Sequence, residues 1–211
     1  MPNAGIRTMT IDDLLSDPPL CHTDATGQPV SWGLPLDVLR FLYHETSNAH
    51  STLETGAGLS TIVFALRGTH HTSVVPDPRQ VDAITEYCRA HAVSLDRLTF
   101  RVAPSEQVLP TLDVRGLDLV LIDGRHAFPT PFLDWYYTAS LLKIGGFVVI
   151  DDTQLWTGNV LRDFLSLEPE WQLERAFSKT VVFRKLAEGS HAKEWTDQLF
   201  MCQPSPSAPS L

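Results

Sequence analysis

Short runs of Val, Ile and Leu recur between residues 51 and 150, and between them lie segments whose apolar positions return every three or four residues. Apolar runs bounded by glycine suit buried, parallel-type strands, and the longer period suits helices. The pattern predicts strands at 51–55, 72–76, 98–102, 118–122 and 146–150, with helices near 59–67, 78–91, 105–111 and 130–142. Gly68 and Gly145-Gly146 read as stop signals. Such alternation argues for βαβ units and a doubly wound, mostly parallel α/β sheet. Upstream, Leu36, Val38, Leu39, Phe41 and Leu42 share one face of a helix over 35–45, and Thr10 to Leu15 reads as a capped helical turn. Downstream the character changes. A helix near 158–167 leads into two adjacent strands, 171–177 and 179–185, with only Ser178 as a turn centre. Those strands must pair antiparallel, so the sheet is expected to end in a hairpin.

Composition narrows what such a fold does. The 211 residues are 43% hydrophobic and 19% charged, which suits one soluble globular domain. Sixteen basic against twenty-five acidic residues leave a net charge of -9, and the basic ones form no cluster. A phosphate backbone is ordinarily held by a basic face, so no nucleic-acid partner is expected. Cys21, Cys88 and Cys202 are widely separated and outside any CxxC spacing, as free thiols would be. No apolar stretch suits a signal peptide or membrane span, so a cytoplasmic protein with no membrane partner is expected. The Pro/Ser-rich segment 203–211 reads as a disordered tail, and 1–33 as an irregular lid segment before the main domain at 34–202.

Two strand ends carry the candidate chemistry. One is Leu-Ile-Asp123-Gly-Arg-His126 and the other Val-Val-Ile-Asp151-Asp152. Ligands of open α/β sheets bind just beyond the carboxyl ends of the strands. Three carboxylates meeting there repel one another unless a cation neutralises them. An all-oxygen set selects a hard ion, with Mg²⁺ the first expectation. Imidazole ordinarily titrates at about 6.5, so His126 suits a general base near neutral pH. Each residue also has an ordinary structural job: His126 or an aspartate as a helix cap, Asp123 in a strand-end turn. The first strand ends in Glu54-Thr-Gly56-Ala-Gly58-Leu-Ser60-Thr61 and runs into a helix, a turn whose glycines allow close backbone approach to a ligand. Glu54 would repel a pyrophosphate and suits an ammonium group instead. His70-His71 read as a solvated loop, Trp32, Trp135 and Trp156 as core aromatics or pocket walls with Trp156 foremost, and Arg125 and Asp134 as surface or orienting residues.

Taken in order, Glu54-x-Gly56-x-Gly58-x-Ser-Thr, Asp123-Gly-x-His126 and Leu-Leu-Lys-Ile-Gly-Gly before Val-Ile-Asp151-Asp152 resemble the class I S-adenosylmethionine-dependent methyltransferases. Within that class the chain resembles the small metal-dependent O-methyltransferases, the catechol O-methyltransferase-like and macrolide-sugar methyltransferase-like enzymes. The resemblance spans residues 34–185 and implies a Rossmann-like seven-stranded sheet in the order 3-2-1-4-5-7-6 with a C-terminal antiparallel hairpin. It implies that Glu54, Gly56, Gly58, Ser60, Thr61 and Asp123 line the S-adenosyl-L-methionine pocket. Asp77 stands in for a ribose-binding acid where relatives often carry one at Val75, and Ser105 and Glu106 fall where adenine contacts are usual. Asp123, Asp151 and Asp152, separated by 28 and 29 positions, match the metal ligands, and His126 the base that deprotonates a small-molecule hydroxyl. Pro129, Pro131 and Ile144 depart from the pattern. Two other readings stay open: a cofactor-binding protein without catalysis, and a nicotinamide-dependent oxidoreductase, disfavoured by Glu54 and the missing third glycine. The methyl acceptor and a homodimer are left open by the sequence.

Overall fold

The computed structural model describes residues 9–24, 26–31 and 33–203. The strands are β1 (Ser51–Thr55), β2 (His70–Val74), β3 (Leu98–Arg101), β4 (Leu117–Ile122) and β5 (Leu142–Ile150), followed by β6 (Trp171–Ala176) and β7 (Val181–Lys185), with aliphatic runs in β4 and at the end of β5. They make one sheet in the order β3-β2-β1-β4-β5-β7-β6. The first five are parallel, and β7 pairs antiparallel with both β5 and β6. This is the order that the resemblance implied.

Helices α1 (Ile11–Ser16), α2 (Leu36–Glu45), α3 (Leu59–Arg67), α4 (Pro78–Ala90), α5 (Ser105–Val108), α6 (Thr130–Ala139) and α7 (Trp156–Leu167) cover the two faces. Alternate strand residues point to opposite sides of a sheet, and β4 uses both. Leu119 and Leu121 pack with Val38, Leu42, Ile62 and Ile84, from α2, α3 and α4. Val120 and Ile122 pack with Trp135, Leu161 and Leu165, from α6 and α7. All four β4 residues are buried, as a strand with helices on both sides requires.

Some boundaries differ from the sequence pattern. β2 starts at His70, so His71 is not in a solvated loop. It is buried, its Nδ1 lies 2.8 Å from Thr52 Oγ1, and its ring stacks on Phe64 at 4.3 Å between centroids. The helix near 105–111 is one α turn, α5, continued by a 3-10 turn through Thr111. α6 stops at Ala139 because the chain must turn into β5, which begins at Leu142. The N-terminal segment contains a two-stranded ribbon, His22–Thr23 with Pro29–Val30. After β7, Lys193 anchors the chain through Glu168 at 2.8 Å and Glu170 at 2.7 Å. All but Gln203 of the expected tail lies outside the described residues, as does Trp32. No helix among the described residues is long and apolar enough to cross a membrane.

Candidate functional site

The turn between β1 and α3 is built on close backbone approach. Gly56 has φ +97°, and a Cβ there would stand 2.4 Å from the backbone oxygen of Asp123. Only glycine lets this turn lie against the end of β4. Glu54, expected to face a ligand, lies beneath the turn and is 1% exposed. Ser60 Oγ donates to its carboxylate at 2.6 Å, Thr61 Oγ1 donates to its second oxygen, and His71 Nε2 lies 3.1 Å from that oxygen. Thr61 Oγ1 in turn accepts from the Gly58 N–H at 3.0 Å. Glu54 therefore clasps the turn to the start of α3 and acts on the cavity only through it. His71 was missed as its partner because the strand was read as starting two residues too late.

At the ends of β4 and β5, Asp123, His126 and Asp152 converge, with one potential ligand atom from each lying within 4.8 Å of the others. His126 Nε2 is 3.0 Å from Asp152 Oδ2. Thr157 Oγ1 donates to the His126 carbonyl at 2.7 Å and fixes the turn that carries the imidazole. Asp152 holds φ +52°, a left-handed conformation that aspartate tolerates. Gly158 allows α7 to start against this bend, since a Cβ there would meet the Asp152 carbonyl oxygen at 2.6 Å.

Asp151 is arranged differently from the expected metal set. Its carboxylate accepts from Thr180 Oγ1 and, at 3.0 Å, from Lys179 Nζ. The same ammonium donates to Asp152 Oδ1 at 2.9 Å, and Gln154 Nε2 donates to that oxygen at 2.7 Å. Burial would lower the pKa of Lys179, but the two aspartates outweigh it and hold the ammonium above its usual range. Burial likewise opposes ionisation of Asp152, and Lys179, Gln154 and His126 outweigh it, leaving the carboxyl below the usual carboxylate range. Asp123 is pushed well up, first by burial and then by Asp151, Asp152 and Glu54, with Lys179 pulling the other way. The group that converges differs from the expected all-carboxylate set in having His126 in the place of Asp151. The converging set includes an imidazole, which Mg²⁺ disfavours. A dication would also crowd an ammonium already bound to two of the three acids.

The turn, the acids and the N-terminal segment enclose a cavity of about 680 Å³, whose lining includes His22, Gly33 and Leu34, Gly56, Gly58 and Ser60 of the turn, and Asp123, His126, Asp152 and Lys179. Residues 53–153 match the family model described as a methyltransferase domain. The fold of the chain is similar to a candidate O-methyltransferase from Klebsiella pneumoniae, at 17% identity and TM-score 0.63 over 89% of this chain and 92% of that one. It is also similar to the O-methyltransferase TomG from Streptomyces achromogenes in complex with SAM, at 14% identity and TM-score 0.60 over 74% and 82%. An O-methyltransferase from Bacillus cereus in complex with SAH aligns at 15% identity and TM-score 0.59 over 75% and 84%. No curated protein sequence matches the chain.

The fold does not bring every expected residue to its cavity. Asp77 caps α4 and forks onto Arg79, with contacts of 2.7 to 3.1 Å, while its neighbours Pro76 and Gln80 line the cavity. Gln80 is held by His22, Nε2 to Nδ1 at 3.0 Å. Ser105 is buried and Glu106 exposed, and neither lines the cavity. Asp134, read as a surface or orienting residue, is 0% exposed and so is not at the surface, and both its carboxylate oxygens lack a hydrogen-bond partner. Trp135 is a core residue packed on Phe164 and Trp171. Trp156 is 66% exposed and forms an aromatic cluster with Phe128 and Phe132, at 6.3 and 6.5 Å between centroids.

Proposed function

We propose that the domain transfers a methyl group from S-adenosyl-L-methionine to a hydroxyl of a small molecule. The observation that carries this reading is the His126–Asp152 pair, at 3.0 Å, lining one cavity with the glycine turn. S-adenosyl-L-methionine supplies a sulfonium methyl group, which becomes the acceptor's O–CH₃ as the carbon–sulfur bond breaks and its electron pair returns to sulfur. The turn from Gly56 to Ser60 offers backbone to the donor, and Gln80 and Ser60 offer polar side chains. With Asp152 Oδ2 3.0 Å from Nε2, the tautomer that carries its hydrogen on Nε2 is the favoured one, and Nδ1 would then hold the lone pair that takes the acceptor's proton. Aiming the imidazole in this way resembles the role of the aspartate in a Ser-His-Asp triad. The net charge of -9 and the absence of a basic cluster favour a small acceptor over a nucleic acid.

Calorimetric titration with S-adenosyl-L-methionine, followed by methyl transfer to a panel of phenols, sugars and hydroxylated metabolites, tests the reading. One-to-one binding and transfer to a hydroxyl are expected; a protein that binds no S-adenosyl-L-methionine would overturn it. The aromatic cluster of Phe128, Phe132 and Trp156, in which Phe128 and Trp156 are exposed, lies outside the cavity lining but next in sequence to the turns that carry His126 and Asp152, and is offered as an apolar wall for the acceptor. Trp156→Ala is expected to raise the acceptor KM by about tenfold, roughly the worth of one lost aromatic contact, while donor affinity stays unchanged by calorimetry. A KM equal to that of the unaltered protein would remove Trp156 from the acceptor site.

A further inference from the structure

We propose that Lys179 is the resident cation of this site, an ammonium standing where a divalent metal would otherwise neutralise Asp151 and Asp152, and that it donates to the acceptor oxygen during methyl transfer. The inference rests on the methyltransferase reading above and adds to it the identity of the positive charge.

Backbone register carries the first part of the argument. In the antiparallel pairing of β5 with β7, Ile150 faces Val181. The residues just beyond that pair are Asp151 and Asp152 on one strand and Thr180 and Lys179 on the other. The Thr153 N–H donates to the Lys179 carbonyl at 2.9 Å, so the pairing of backbones continues past the acids. Lys179 is thus delivered to both carboxylates by the sheet itself, not by a side chain that happens to swing near.

Stoichiometry of donors carries the second. An ammonium has three N–H groups. One goes to Asp151 Oδ2 at 3.0 Å and one to Asp152 Oδ1 at 2.9 Å. The third remains for a ligand, and Lys179, with its side chain 30% exposed, lines the same cavity as His126. Asp152 joins the two groups, holding Lys179 through one oxygen and His126 through the other. An acceptor hydroxyl between them would give its proton to His126 and rest its developing negative charge on Lys179. A preorganised donor of that kind lowers the barrier because no solvent has to reorganise around the new charge. A divalent ion supplies the same two services, charge neutralisation and oxygen polarisation. With the ammonium in place, one of the two negative charges is already met, so the carboxylates attract a dication less strongly.

The test uses Mn²⁺ as a paramagnetic probe read by electron paramagnetic resonance, alongside methyl transfer measured with and without EDTA. The full-length protein is expected to leave added Mn²⁺ free in solution and to turn over equally well in EDTA. Lys179→Ala is expected to lower turnover by about 10²-fold, the loss typical of one oxyanion donor, and to create a stoichiometric Mn²⁺ signal at the vacated carboxylates. Lys179→Arg keeps the charge and should remain free of bound Mn²⁺, which separates loss of the cation from loss of the fold. Stoichiometric Mn²⁺ on the unaltered protein, or activity abolished by EDTA, would overturn the proposal, as would a Lys179→Ala protein that stays fully active or binds no Mn²⁺. The Mn²⁺ signal does not depend on methyl transfer, so failure here is distinguishable from failure to bind S-adenosyl-L-methionine.

Discussion

His126→Ala is expected to reduce turnover by about 10²- to 10⁴-fold, the usual worth of a positioned general base, with S-adenosyl-L-methionine affinity unchanged. The residue lines the cavity but belongs to the turn after β4, not to the glycine turn that offers backbone to the donor. Its loss should therefore appear in kcat and not in donor binding. The deficit should shrink as pH rises, because an acceptor that ionises in solution no longer needs a base. Asp152→Asn should give a smaller loss of the same kind, since it leaves the imidazole present but misdirected. A His126→Ala protein with undiminished kcat at neutral pH would remove His126 from the chemistry, and one that lost donor binding as well would point to collapse of the turn.

Asp134→Asn is expected to stabilise the protein at pH 8 and to have little effect near pH 4. Burial raises the Asp134 carboxyl from 3.8 to about 6; nearby Ser105 and Thr55 hydroxyls pull it down and Glu106 pushes it up. The folded protein thus keeps this proton to a higher pH than the unfolded chain does. Stability from this group is complete below the unfolded value, falls as pH rises between about 4 and 6, and stays low above that. Two pKa units correspond to about 3 kcal/mol. Asn carries no charge at any pH, so the variant should escape the fall. Urea unfolding at the two pH values measures it. The difference between them is the relevant quantity, because any packing defect of the amide contributes equally to both. A stability change that is the same at pH 4 and pH 8 would mean that Asp134 does not titrate in this range.

Much of the fold was legible because its central strands follow one rule: β4 and the end of β5 are short aliphatic runs buried on both faces and closed by an acid. β1 was placed to the residue, and β4 and β5 ended where Asp123 and Asp151 were expected. The site was only half legible. Backbone requirements leave a mark in sequence, and Gly56 is one; side-chain direction does not. Glu54 turns inward to Ser60 and Thr61, and Asp77 turns to Arg79, for reasons of local geometry that spacing along the chain does not encode. Two residues were readable in principle. Asp134 shares the buried stripe of α6 with Pro131, Trp135 and Thr138, at helical intervals, and only its charge argued for the surface. Lys179 follows from the hairpin: once the last strand pairs antiparallel with β5, the residues before Val181 must stand beside Asp151 and Asp152.

The hairpin has a consequence for the order in which the molecule becomes competent. The glycine turn is complete once β1, β2 and β4 have associated, all from the first two-thirds of the chain. The acidic wall stays an uncompensated cluster of negative charge until the C-terminal ribbon folds back and inserts β7 between β5 and β6. A nascent or truncated polypeptide could thus shape its donor half early, yet would acquire a working acceptor half only as its last strand docked.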